Sequence, residues 1–307
     1  MALSACAATG QSADSRLAEY AATSPRTLAE QARIARAVLP GQTPRAELLQ
    51  AWTGPYDGTP DWGKVTAAKL KTAIVEGIDL QRADIAAIAD NPEAPTFANT
   101  IVALELAGEP LDRATNVFGV MTSNIGGADY EALDTEVSPL LSQAGDEITF
   151  NEKLFARIKA VADGADAAGL SPQQKRLAER RRDAYVRSGA NLDAAGKARL
   201  GQINTALTSA FTRFGQKVVA DENAWTVIPS QAAMAGLPAS NVAAAASAAR
   251  AKNLQGWIIL NTRSAVDPYL TFADDRGMRE AVWRRFVNRG DNGGANDTNA
   301  TIAEIVA

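Results

Sequence analysis

The chain has 307 residues, 46% of them hydrophobic, a formal net charge of -4, one cysteine and no histidine. That length supports a large buried core in one or two domains, and the mild negative charge carries no electrostatic footprint for nucleic acid. Without histidine the chain holds no Ser-His-Asp triad, no Cys-His pair and no His-ligated zinc; a lone Cys6 likewise rules out thiolate clusters and CxxC redox chemistry within it.

Leu3-Ser4-Ala5-Cys6 matches a bacterial lipobox, and the small and polar residues from Ala7 to Asp14 suit a tether. Only five residues precede Cys6, fewer than the basic region and the ~7–15 apolar residues of a signal peptide. Two readings stay open. Either the start is clipped, Cys6 is a lipid-attachment point and the protein belongs to the cell envelope or periplasm, or the match is chance and a cytoplasmic location stands. Residues 1–44 are expected to form a flexible tail with this lipobox-like remnant and a peripheral helix. Ser24-Pro25 opens that helix, because proline is well suited to the first helical position.

Residues 45–307 are expected to form a helical lobe. Trp52 to Pro60 is too rich in Gly and Pro for a helix, and its Trp52 and Tyr56 are expected to pack onto the body. A helical pattern then runs from about Thr66 to Asp90 and stops before Asn91-Pro92, since the residue ahead of proline avoids the α region. Thr96 caps a helix carrying Ile101, Leu104 and Leu106 that breaks near Gly108. Leu111–Ile125 and Tyr130–Gly145 follow, divided by Gly126-Gly127, and another helix begins near Asn151. Ser171-Pro172-Gln173-Gln174 combines an N-cap, an N1 proline and a capping-box glutamine. Asp193 caps the clearest amphipathic helix, with Leu200, Ile203, Leu207, Phe211, Phe214 and Val218 in one stripe. An Ala-rich helix covers about Pro238 to Lys252. Trp225–Ile228 and Trp257–Leu260 are β-branched and aromatic, and are expected to pair as a two-stranded ribbon.

The helical pattern resumes at Asp274 and runs through Trp283 and Val287 into a turn-rich loop, Asn288 to Gly294. A last helix opens near Thr298, with Ile302, Ile305 and Val306 on a face, and stops at Ala307 without a cap, which reads as a cut. The fold class is therefore mostly α, a multi-helix lobe with a small two-stranded β element. No apolar run approaches the ~20 residues that span a bilayer.

Catalytic motifs are missing: there is no P-loop, GxSxG elbow, dinucleotide fingerprint or HExxH. Asp291 to Asp297 lacks the alternating ligands and final glutamate of a calcium loop. Asp274/Asp275 reads as a helix start, and Arg180-Arg181-Arg182, beside Glu179 and Asp183, as a solvated helix face. Asn296 and Asn299 begin glycosylation sequons.

Four phrases, in this order, carry a resemblance: Leu49-Gln50-Ala51-Trp52-Thr53-Gly54-Pro55-Tyr56, then Asn91 to Ile101 with Ala103-Leu104-Glu105, then Phe214-Gly215-Gln216-Lys217-Val218, then Asp267 to Asp274 continuing to Val287–Gly294. The stretch from Leu48 to Ala307 resembles the N-terminal half of the thimet-oligopeptidase-type zinc metallopeptidases, especially bacterial peptidyl-dipeptidases near oligopeptidase A. The resemblance departs at Ala98, where the family usually has an acid. It implies a helical lobe of a two-lobed, channel-type enzyme acting on short peptides. The family's zinc and its HExxH helix lie in the C-terminal half, so no residue here inherits a catalytic or metal-binding role, and this chain alone is expected to be inactive and free of cofactor. Its partners would be short peptides, in the full-length protein, and the missing catalytic lobe. The alternative is a stand-alone helical module that binds peptides without hydrolysis.

Overall fold

The computed structural model describes residues 25–54 and 58–307; the lipobox-like Leu3–Cys6 and Tyr56 lie outside them. The chain divides into two compact units, the first ending at Thr205 and the second running from Ala206 to Ala307.

In the first unit α1 is Pro25–Val38, α2 Ala67–Ala89, α3 Ala103–Leu106, α4 Glu109–Val120, α5 Ala128–Thr149, α6 Glu152–Asp163 and α7 Pro172–Arg187. Most boundaries fall where the capping signals place them. Thr66 accepts a hydrogen bond from the Lys69 amide, Asn151 from the Leu154 amide, and Ser171 and Gln174 form a reciprocal capping box. Each of these bonds satisfies an amide that has no carbonyl partner in the first helical turn. Thr96 and Asn99 form a second box, but the turn they start, Phe97–Val102, is wound as π-helix before α3 begins.

Two buried clusters fill this unit, and α2 serves both. Leu70, Ile74 and Ile78 join Leu49, Leu111, Val117 and Val137. Further along, Ile85 and Ile88 join Ala35, Phe97, Ile101, Leu154 and Ile158. At ~1.5 Å rise per residue its 23 residues reach roughly 35 Å, long enough to run beside both. Trp52 packs on the first of these clusters, as expected of it.

In the second unit, helix α8 (Ala194–Glu222, begun in the first) leads into β1 (Trp225–Ile228), α9 (Ala239–Ala251), β2 (Trp257–Leu260), α10 (Arg263–Phe272), α11 (Arg276–Val287) and α12 (Asn299–Val306). The two strands pair antiparallel, with Trp225 opposite Leu260 and Ile228 opposite Trp257. Ala245 and Ala249 are the buried residues of α9; their small side chains allow β2 to come close. The core gathers Ile228, Met234, Ala245, Ile259, Val266, Tyr269 and Val282.

Three details differ from the sequence expectations. Helix α10 is unanticipated, and Pro268 sits inside it. Proline there removes only the bond to the carbonyl of Ser264, and the next residue, Tyr269, is fully buried and anchors the helix to the core. The cap of α11 is Asp275, whose carboxylate accepts from the Met278 amide at 2.9 Å; Asp274 precedes it. Finally, the apolar stripe of α8 enters none of the three buried clusters. Its 29 residues bury only Ala210 and Asp221.

Candidate functional site

The four recognisable phrases each fold around a polar anchor. In Asn91–Ile101 that anchor is Arg157 of α6, which is 7% exposed. Its Nη1 donates to the carbonyls of Asn91 and Glu93, both at 2.9 Å, and its Nη2 to Asn99 Oδ1 at 3.1 Å. Asn99 is equally committed. Its amide donates to the Ala94 carbonyl at 2.9 Å, while its oxygen accepts from the Thr96 amide at 2.8 Å and the Thr100 hydroxyl at 2.9 Å. Burial draws the Arg157 guanidinium below the usual arginine range, with the field of Glu93 acting the other way. In the first phrase Arg113 clamps the Leu49 carbonyl through Nη2 at 2.8 Å and Nε at 3.2 Å.

The second unit repeats the theme. Lys217 donates to the Asp297 carbonyl at 2.8 Å and to Thr301 Oγ1 at 3.3 Å. Tyr269 donates its hydroxyl to the Ala233 carbonyl at 2.8 Å, and burial raises its phenol above the ordinary range. The loop after α11 closes on Asp221, which is 3% exposed. Asp221 Oδ2 accepts from the Gly290 amide at 2.9 Å and from Asn292 Nδ2 at 2.7 Å, and Arg285 lies 3.7 Å from Oδ1. Gly290 has φ +82° and a Cβ there would stand 3.1 Å from Thr298 Oγ1, so the turn requires glycine on both counts. Sequence reasoning marked this loop as turn-forming but missed Asp221, an isolated acid near a helix end with nothing in its spacing to single it out.

Among the described residues no group of three or more His, Cys, Asp or Glu side chains is placed to hold a metal ion. The zinc that the family implies needs about four N, S or O donors in a tetrahedral set, and the residues present do not fit it. In the calcium-like run, Asn299 Nδ2 donates to Asp291 Oδ1 at 2.6 Å and lies 3.5 Å from Asp297 Oδ2, so the two acids bracket an amide. Arg181 pairs with Glu105. Arg182 pairs with Asp183 at 2.9 Å and Asp163 at 3.3 Å; of the three arginines only Arg180 is exposed, so Arg181 and Arg182 tie α7 to neighbouring helices where a fully solvated face was expected. The first unit has open clefts: about 710 Å³ beside α2, lined by Arg45, Lys71 and Glu76, and about 810 Å³ bounded by Arg33, Asp90 and Thr96. Glu76 in the former is held by the amides of Arg45 and Ala46 at 2.6 and 3.0 Å. No helix among the described residues is long and apolar enough to cross a membrane.

No family model matches the chain. Individual relatives do. It is 35% identical over 249 residues to the dipeptidyl carboxypeptidase of Escherichia coli, the match covering 80% of this chain and 37% of that protein. The dipeptidyl carboxypeptidase of Salmonella typhimurium is 33% identical over 254 residues, covering 82% of this chain and 37% of the relative. Oligopeptidase A of Escherichia coli is 24% identical over 253 residues, 81% of this chain and 37% of the relative. The chain thus spans little more than a third of the length of the curated relatives it matches. On these matches the chain is homologous to peptidases of the thimet-oligopeptidase family, over the N-terminal part of their length.

Proposed function

We propose that this chain is the non-catalytic helical lobe of a peptidase that hydrolyses short peptides, and that zinc and the catalytic residues belong to a separate portion of the enzyme. One observation carries the reading: the phrases by which the chain resembles the family fold around internal structural anchors such as Arg157 and Asp221, with no histidine anywhere to ligate zinc. The lobe would contribute a wall of the peptide channel and positioning for its catalytic partner. Equilibration of the purified chain with excess zinc, followed by exhaustive dialysis and metal analysis, tests the proposal. Well below one zinc per chain is expected; one tightly held zinc per chain would overturn it.

The same proposal assigns lipid attachment to Cys6 in the native precursor, and hence an envelope location, on the strength of Leu3–Cys6 and the polar residues after it. Mass spectrometry of the Cys6 peptide from the native organism tests that assignment. Acylation is expected, and a free thiol would remove it.

A further inference from the structure

Helix α8 offers a face that the second unit leaves bare. Phe211 is 55% exposed and Val219 47%, with Leu207 and Phe214 only half-buried. The helix is held in place along an adjoining side, by the buried Ala210, by Val218 beside Gly290 and by polar contacts. Arg213 pairs with Glu304 at 2.6 Å, Lys217 reaches Asp297 and Thr301, and Asp221 holds Gly290. Helix α12, pinned alongside by those bonds, itself exposes Ile302 and Val306.

Charge makes the case sharper. A helix meant for solvent carries charged residues on its outer face. The run Leu200 to Thr212 contains no Asp, Glu, Lys or Arg in 13 consecutive residues. Leu207, Phe211 and Phe214 recur at spacings of four and three, the spacing of a seam that one partner helix fills. A rigid, uncharged, aromatic seam of this kind marks an interaction surface. The length comparison indicates its occupant, because the match leaves well over half of each relative outside it.

We infer that the Leu207–Phe211–Phe214 face of α8 is the docking surface for the catalytic portion of the enzyme, which lays the apolar face of a helix against it. This rests on the reading of the chain as a non-catalytic lobe. The test is co-expression of the tagged full chain with the portion of E. coli dipeptidyl carboxypeptidase that lies outside the match, followed by affinity measurement on the purified pair. Phe211→Asp should weaken the complex by about tenfold or more, as expected of a buried aromatic at an interface. Val227→Asp, on β1 and 58% exposed, should leave it unchanged. Phe211→Ser gives the same reading should the aspartate disturb the helix, and unchanged circular dichroism shows that each variant is folded.

If the pair forms and both positions tolerate substitution equally, the surface is elsewhere and this inference falls while the proposed function stands. If the wild-type chain does not pair at all, both fall. If it instead forms a homodimer that Phe211→Asp dissociates, a second copy covers the face and the inference is overturned.

Discussion

Arg157 shows how much a single side chain can organise at long range. It is charged, almost wholly buried, and binds three acceptors that come from a loop and a helix start about sixty positions away in sequence. Arg157→Met should cost about 1–3 kcal/mol in urea unfolding, since it removes three hydrogen bonds from a charged donor to part-buried and buried acceptors. Lysine should not rescue it, because a single ammonium cannot reproduce the planar fork. Tyr185 gives a pH prediction. Burial pushes its phenol up to about 12, where its ring stacks on Phe155 at 6.3 Å. The folded state therefore keeps a proton that the unfolded chain releases near pH ~10. Stability should be flat below that pH and fall by roughly 2–3 kcal/mol between about 10 and 12. Phenolate absorbance should show Tyr185 ionising late, and Tyr185→Phe should flatten the alkaline fall. At this scale the local caps were readable from sequence, because Thr96, Ser171 and Asp193 act within three residues. Arg157 and Asp221 were not, since their partners are distant in the chain and only folding brings them together.

Glycines test how closely the helices pack. Gly77 of α2 faces α4, and a Cβ there would lie 2.9 Å from Leu111 Cδ1 and 3.1 Å from Leu111 Cα. Alanine would gain up to ~1 kcal/mol in helix propensity, but displacing a helix backbone costs about 1–3 kcal/mol. Gly77→Ala should therefore be net destabilising. Gly145, inside α5 with nothing within 4 Å of an added Cβ, has the propensity gain alone, and Gly145→Ala should raise stability by about 0.5–1 kcal/mol. Chemical denaturation of the two variants checks both signs; equal effects would contradict the packing. The same scale explains what sequence patterning missed. Punctuation by Gly and Pro set most helix limits, and β-branched runs flanked by turns placed β1 and β2. Helix α10 went unplaced by sequence: its N-cap Thr262 makes no side-chain capping bond, and Pro268 lies inside it, where buried Tyr269 outweighs the lost bond. The stripe of α8 was visible as a period, but a period does not say whether its partner lies in the same chain.

At the scale of the whole molecule, the ordered phrases from Leu49 to Gly294 carry the likeness to these peptidases, and the folded chain gives each phrase a holding role. The missing histidine bears most on activity, because composition can exclude chemistry that no fold restores. The residues that would wall the proposed peptide channel carry no motif, so the sequence does not single them out. The central claim, that this lobe supplies no chemistry of its own and is completed by a catalytic partner, is tested most directly by a quenched-peptide cleavage assay with zinc present. The chain alone and the chain co-expressed with the catalytic portion of E. coli dipeptidyl carboxypeptidase are compared, with that portion alone as control. The account predicts no turnover by the chain alone, and turnover by the pair well above that of the isolated catalytic portion. Zinc-dependent cleavage by the chain alone, or a pair no more active than the catalytic portion by itself, would contradict it.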